Sequence, residues 1–235
     1  VDGKRTGGIA GLVYAGGSIT NCINYGAITS TYATPSLAPD AKEAYIGGIV
    51  GYAYVGVETC ANFGEVKATG DGISCVGGIA GYARVGYEAE ADSAYLLNCY
   101  NTGAVIATSP KGIAGGLLGS FRYGTLKNSY TATAPTAQNA GSMAGRLEDA
   151  LSRTVENVYV LDHGLDIVGV SATIPSTWKV TALSDAALQA LTAEELGDNF
   201  KPDTKNQNGG YPILKWQDPA AAEPEDPDRP ESDPD

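Results

Sequence analysis

Few residues in this chain are of a type and spacing that could do chemistry. The single histidine, His163, sits in Leu161-Asp162-His163-Gly164, and an aspartate beside a histidine can orient a general base. No nucleophile accompanies the pair, and one pair is not a set of mutually placed catalytic roles. The run Asp203-Thr204-Lys205-Asn206-Gln207-Asn208-Gly209 has the polarity of a calcium loop. Starting it at Asp203 makes Lys205 the third ligand, and starting it at Thr204 puts Lys215 where a bidentate Glu belongs, so that reading fails. Gly-rich blocks can cradle phosphate, but here no Gly-Lys-Ser/Thr follows them and no strand-turn-helix frame surrounds them. Glycoside hydrolysis needs two carboxylates roughly 5–9.5 Å apart. The repeats are poor in acids: Glu58 and Glu65 lie in the second copy, while Glu88, Glu90 and Asp92 crowd one insertion. No enzyme activity, metal or cofactor is expected.

The elements that must position these residues come from an internal repeat. Five blocks recur: Gly7-Gly8-Ile9-Ala10-Gly11, Gly47-Gly48-Ile49-Val50-Gly51, Gly77-Gly78-Ile79-Ala80-Gly81, Gly115-Gly116-Leu117-Leu118-Gly119 and Gly141-Ser142-Met143-Ala144-Gly145. The closing glycines, Gly11, Gly51, Gly81, Gly119 and Gly145, are spaced irregularly, as a repeated unit with variable loops requires. A second block follows in three copies: Asn21-Cys22-Ile23-Asn24-Tyr25-Gly26, Thr59-Cys60-Ala61-Asn62-Phe63-Gly64 and Asn98-Cys99-Tyr100-Asn101-Thr102-Gly103. It fades to Asn128-Ser129-Tyr130 and Asn157-Val158-Tyr159 in the last two copies. Each copy reads as three short strands joined by a Gly turn and an Asn-x-Gly turn, because Asn and Gly suit sharp corners. Stacking such copies gives an all-β fold, a parallel β-solenoid (β-helix-like) of about five irregular rungs. A β-sandwich of hairpins is the competing architecture.

Cys22, Cys60 and Cys99 share one column of the repeat, with Ser129 next in line. Rungs stack about 4.8 Å apart with parallel Cβ directions, poor geometry for disulfides. Buried thiols acting as small hydrophobes are favoured over disulfides or a metal, and Cys60→Ser should then cost on the order of 1–3 kcal/mol. Tyr52 with Tyr82, and Tyr14 with Tyr54, also share columns and are expected to stack.

The repeats are assigned to residues 1–162. Residues 163–217 form a capping segment, with a helix expected from Ser184 to Leu196 and Trp178 and Trp216 as packing anchors. Residues 218–235 hold eight acids, one base and five prolines, which accounts for −7 of the net charge of −12. Such a composition cannot bury enough apolar surface to offset chain entropy, so a disordered acidic linker or tail is expected. Two loops exceed what a corner needs. Residues 30–45 carry Asp40, Lys42 and Glu43, and residues 86–95 carry Glu88, Glu90 and Asp92. Rigid scaffolds tend to display function on such loops, so these six residues are the candidate binding positions.

Composition bounds the partners. Gly is 31 of 235 residues and charged residues only 18%, unlike a helical bundle. A net charge of −12 and a pI near 4.4 argue against sequence-independent nucleic-acid binding or attachment to an anionic membrane. No apolar run approaches the roughly 20 residues of a membrane span. The start, Val1-Asp2-Gly3-Lys4-Arg5, reads as a cut or mature chain, with any targeting segment and further domains lying outside it.

The Gly-Ile-Ala-Gly, Gly-Ile-Val-Gly and Gly-Leu-Leu-Gly blocks, with the Asn-Cys-Tyr-Asn-Thr-Gly-Ala-Val block, resemble the GLUG-motif repeats of secreted or surface-attached bacterial proteins over about residues 7–162. The resemblance implies a non-enzymatic adhesion or interaction module outside the cell, facing an unknown protein or glycan ligand on a cell or host surface. Immunoglobulin A1 metalloproteases carry similar repeats, but their catalysis belongs to a separate zinc domain, and this chain has no His-Glu-x-x-His. Carbohydrate binding or cleavage is the alternative function.

Overall fold

The structure, a computed structural model, describes residues 5–14, 17–33, 43–54, 56–84, 95–148, 153–170 and 173–218. The first copy contributes β1 (Arg5–Gly7), β2 (Ala10–Val13), β3 (Ile19–Thr20), β4 (Ile23–Asn24) and β5 (Ile28–Thr31). The second gives β6 (Ala44–Gly47), β7 (Val50–Ala53), β8 (Val57–Glu58), β9 (Ala61–Asn62) and β10 (Val66–Thr69). The third gives β11 (Ser74–Gly77), β12 (Ala80–Ala83), β13 (Tyr95–Leu97), β14 (Tyr100–Asn101) and β15 (Val105–Ala107). The fourth gives β16 (Gly112–Gly115), β17 (Leu118–Phe121) and β18 (Gly124–Thr131), and the fifth β19 (Asn139–Gly141), β20 (Ala144–Leu147) and β21 (Arg153–Leu161). Then come β22 (Val168–Val170), β23 (Val180–Leu183), α1 (Asp185–Gln189), α2 (Ala193–Leu196), β24 (Phe200–Lys201) and β25 (Ile213–Leu214).

The expectation of one parallel β-solenoid with three strands per rung is corrected here. The all-β content stands, but the strands sort into five separate sheets, four of them parallel and one a two-stranded antiparallel pair, β24-β25. The first runs β1-β6-β11-β16-β19 and the second β2-β7-β12-β17-β20-β22. A third, β15-β10-β5, spans three copies only. The fourth has nine strands and bends back on itself, because the long β18 pairs with both β13 and β14, and so joins the rows β3-β8-β13 and β4-β9-β14. Each early copy has five strands because both sequence blocks break a strand in two.

The physical reason differs from the one expected. None of the Gly-Gly-Ile-x-Gly glycines takes a positive φ; the corner residues that do are Asn21, Thr59, Asn98, Asn128 and Asn157, with φ of 50–54°. The glycines are required by close approach. A Cβ on Gly47 would lie 2.1 Å from Val50 O, and one on Gly48 would lie 2.1 Å from Gly78 O and 2.3 Å from Asn62 Cγ. One on Gly51 would lie 2.6 Å from Gly11 O and from Thr6 N. The closing glycines therefore let the second sheet lie against the backbone of the first. The corner carbonyl knits the copies: Ile49 O accepts the amides of Ile9 and Ala10, Ile79 O those of Ile49 and Val50, and Leu117 O those of Ile79 and Ala80.

The Gly-Gly block and the Asn-x-Gly block prove to be one device. Asn62 and Asn101 are fully buried. Asn24 Nδ2 donates to Asn62 Oδ1 (2.7 Å), and Asn62 Nδ2 donates to Asn101 Oδ1 (2.8 Å). Each amide also donates to the carbonyl two residues on, of Gly26, Gly64 and Gly103. A buried amide so fully satisfied contributes stability instead of costing it, and the space it fills is the one a side chain on Gly8, Gly48 or Gly78 would take.

Between the second and fourth sheets lies the main core, with Ile49, Ile79, Leu117 and Met143 facing Val57, Leu96, Leu126 and Val155. Residues 184–217 cover the outer flank of the nine-stranded sheet, not the end of the stack. Leu188, Leu191, Leu196, Phe200 and Leu214 pack on Ala61, Tyr100 and Tyr130, and Trp216 Nε1 donates to Thr59 O (3.2 Å). Trp178 joins the main core beside Phe121. The single helix expected over Ser184 to Leu196 is two short ones. Ser184 accepts from the Ala187 amide at the start of α1, whereas Thr192 starts α2, with its amide bonded to Glu195 Oε2 (2.9 Å). Of the acidic tail, Asp218 is docked on Lys201 and Lys205; residues 219–235 lie outside the described residues.

Candidate functional site

Parallel register turns sequence columns into side-chain ladders, and three of them meet in a cleft on the outside of the first two sheets, where Tyr52, Tyr82, Cys75 and Ser120 are buried and Tyr45, Tyr54, Arg84, Arg122, Arg146 and Glu148 are half-buried. From the first sheet come Arg5, Tyr45, Cys75, Ile113 and Asn139. From the second come Leu12, Tyr52, Tyr82, Ser120 and Arg146. Two residues on in each copy lie Tyr14, Tyr54, Arg84, Arg122 and Glu148. The tight glycine corner folds the outer faces toward each other, so that Tyr45 meets Tyr52 edge-on (centroids 5.4 Å) and Tyr82 at 4.8 Å. Tyr52 lies against Tyr82 at 4.4 Å and Tyr14 against Tyr54 at 4.6 Å, with the ring planes tilted by 32° and 36°. Arg5 lies 4.8 Å over the Tyr52 ring and Arg84 5.7 Å from that of Tyr54, a cation–π arrangement.

Toward the fifth copy the ladder becomes ionic. Arg146 forks onto Glu43, with Nη1 2.7 Å from Oε1 and Nη2 bonded to Oε2. Nη2 also donates to Glu148 Oε1 (2.6 Å), and Nε donates to Ser120 Oγ (3.1 Å). The Tyr45 hydroxyl donates to Glu43 Oε2 (2.9 Å), and that of Tyr82 to Glu148 Oε2 (2.8 Å). Burial pushes the Glu43 carboxyl up, but Arg146, Tyr45 and Cys75 more than offset it and hold the group below the usual carboxylate range. Burial likewise pushes the Tyr45 and Tyr82 hydroxyls and the Cys75 thiol up. Beside the cluster an open space of about 430 Å³ is lined by Arg122, Arg146, Leu147 and Glu148. Among the described residues Arg122 Nε has no hydrogen-bond partner.

This arrangement bears on the two-carboxylate criterion. One guanidinium nitrogen serves both Glu43 and Glu148, so the oxygens it bridges lie no more than two hydrogen-bond lengths apart, under about 6 Å. A glycosidase pair needs one carboxyl protonated as the acid, whereas Arg146 holds Glu43 ionised. The cleft presents guanidinium donors, carboxylate acceptors and aromatic rings, groups suited to a polar ligand.

Of the six candidate binding residues, only Glu43 is described, and it is tied into the cleft. Asp40, Lys42, Glu88, Glu90 and Asp92 lie outside the described residues. Nothing in the local sequence points to Arg146 and Glu148, which are 103 and 105 positions from Glu43. Aligning the residues one and three places after each closing glycine would have found them. Cys22, Cys60, Cys99 and Cys75 are all free thiols. Cys60 Sγ lies 3.1 Å from Glu58 O and Cys99 Sγ 3.1 Å from Leu97 O, the bond that Ser129 Oγ makes to Lys127 O at 2.9 Å. His163 Nε2 lies 3.2 Å from Thr133 O, while Asp162 accepts from the Gly164 amide, so the two do not work as a pair. Asp203 accepts the amides of Gln207, Asn208 and Gly210, which closes its own loop.

Neither a protein-family model nor a curated protein matches the chain. Its fold is similar to the crystal structure of a Bacteroides ovatus protein described as a "putative immunoglobulin A1 protease", with 23% identity and a TM-score of 0.51 over 85% of this chain. The chain spans 58% of the length of that protein. At this identity the likeness concerns the fold alone. Among the described residues no helix is long and apolar enough to cross a membrane.

Proposed function

We propose that this protein is a non-enzymatic interaction module of a secreted or surface-attached bacterial protein, of the GLUG-repeat adhesion type, and that the Tyr-Arg cleft is its recognition surface. The observation that supports the reading is the concentration of aromatic, guanidinium and carboxylate groups on one outer face of an otherwise sparsely charged scaffold. Stacked sheets hold these groups in fixed register, so a ligand meets them with little ordering cost. A glycan is the favoured ligand class: tyrosine faces accept sugar C–H surfaces, and the paired carboxylates and arginines suit hydroxyl groups. Cleavage of that glycan is disfavoured, because Arg146 occupies the position between the two carboxylates that a reacting bond would need.

The test is a glycan and matrix-protein array probed with the whole chain and with Arg122→Ala and Tyr54→Ala variants. Capture of a glycan class by the wild type, weakened at least tenfold in both variants with melting temperature unchanged, is expected. Capture equal in all three proteins would place recognition elsewhere, and release of reducing ends from the captured glycan would overturn the non-enzymatic reading.

A further inference from the structure

The end of the stack at the first copy has a chemistry of its own. Repeat proteins normally finish with an atypical terminal unit whose outer face is polar. The far end is an atypical unit: beyond the fifth copy only the closing glycine of the block persists, as Gly169, β22 and β23 alone extend two of the sheets, and residues 173–179 carry Pro175 instead of a strand, with Leu165 and Ile174 37 and 39% exposed. Copy one is not atypical. It carries both blocks in full, and Ile9, Leu12, Tyr14 and Tyr25 are 46, 37, 64 and 70% exposed.

Every ladder stops there with an open, directional end. Corner carbonyls accept two amides from the preceding copy throughout the stack, as Ile49 O does from Ile9 and Ala10; among the described residues Ile9 O has no such donors. Amides at three positions donate backward along the stack: Ala61, Tyr100 and Tyr130 to Cys22, Cys60 and Cys99 O; Phe63 and Thr102 to Asn24 and Asn62 O; Tyr54, Arg84 and Arg122 to Val13, Ala53 and Ala83 O. The copy-one equivalents are the amides of Ile23, Tyr25 and Tyr14. The asparagine ladder is polar in the same sense, each Nδ2 donating forward, so Asn24 Oδ1 is the acceptor a preceding Asn would use. Tyr25, stacked at 4.9 Å on Phe63, and Tyr14, packed against Tyr54, each turn a ring face outward.

We infer that the copy-one end is an interface for one further repeat of the same kind, added in parallel, with its own Gly-Gly-Ile-x-Gly and Asn-x-Gly blocks. The fit is in register and in sign: donors meet Ile9 O and Asn24 Oδ1, acceptors meet the amides of Tyr14, Ile23 and Tyr25, and aromatic residues cover Tyr14 and Tyr25. An arbitrary apolar partner would cover the side chains and leave these backbone groups unsatisfied, at a cost comparable to the burial gained.

The experiment joins a repeat with the sequence of residues 44–72 ahead of the whole chain and follows amide hydrogen exchange. The control carries the same repeat with its Asn62 equivalent replaced by Leu and its Gly48 equivalent by Val. The expected result is at least tenfold slower exchange at Tyr14, Ile23 and Tyr25, with a raised melting temperature, in the extended chain only. Unchanged exchange at those three amides overturns the inference. So does equal protection in the control, or concentration-dependent self-association of the unextended chain that protects the same amides.

Discussion

Replacing Arg146 by Leu isolates what the guanidinium does. The side chain satisfies Glu43 and Glu148 at once, and the three groups are 17, 21 and 22% exposed. Breaking a fully buried pair costs about 3–5 kcal/mol; with residual solvent screening the cost at pH 7 comes to about 2–3 kcal/mol here. For a domain of this size that lowers Tm by about 5–10 °C. The sign of the pH dependence also reverses. In the wild type the Glu43 carboxyl is depressed, so its contribution is complete above the unfolded value of about 4.3 and lost as pH falls through the lower folded value. In Arg146→Leu, burial acts on Glu43 without the offsetting cation, its folded value rises above the unfolded one, and acid relieves the penalty. Urea unfolding at pH 7 and pH 5 should show the gap between variant and wild type narrowing by at least 1 kcal/mol at the lower pH, a narrowing lost when Glu43→Gln is added. A loss below about 0.5 kcal/mol at pH 7, on the scale of a surface ion pair, or a gap independent of pH, would mean that Arg146 does not hold a buried carboxylate pair.

Gly48→Ala should destabilise by about 3 kcal/mol or more, as overpacking against fixed backbone does; adding Asn62→Ala should recover only part, since Gly78 O remains in the way, and chemical denaturation measures both. Cys60→Ser should cost under about 1 kcal/mol, less than the sequence implied, because the hydroxyl can take Glu58 O as Ser129 takes Lys127 O; a loss above about 2 kcal/mol would contradict this. Reducing agent should leave Tm unchanged, as all four thiols are free. Asn98→Val should lose about 1–2 kcal/mol, since a β-branched residue tolerates a φ of 53° poorly.

The repeat and the pairing of the tyrosine columns are legible in the sequence because parallel register maps equal spacing onto equal position. The strand count is not, because the glycines look like turn residues while their role is to admit a neighbouring backbone. The left-handed corners sit one residue before each cysteine or its equivalent, and Thr59 among four asparagines hid the pattern. Glu43 stands out in the sequence only for its place in a long loop, whereas its partners Arg146 and Glu148 replace tyrosines and arginines of earlier copies. A column that changes residue type along the stack is easily read as a lapse in the repeat. The flank-covering segment was read as an end cap because sequence alone does not tell which apolar face, end or side, Leu188 and Phe200 will meet.

Recognition at the Tyr-Arg cleft is read out by the amide and side-chain NMR footprint of the whole chain with the highest-affinity glycan from the array. Shifts confined to Tyr54, Arg84, Arg122, Arg146, Glu148 and their neighbours on β12, β17 and β20 are expected. A footprint centred on the flank around Tyr211 and Trp216, or shifts absent from the cleft at saturating glycan, would contradict recognition there.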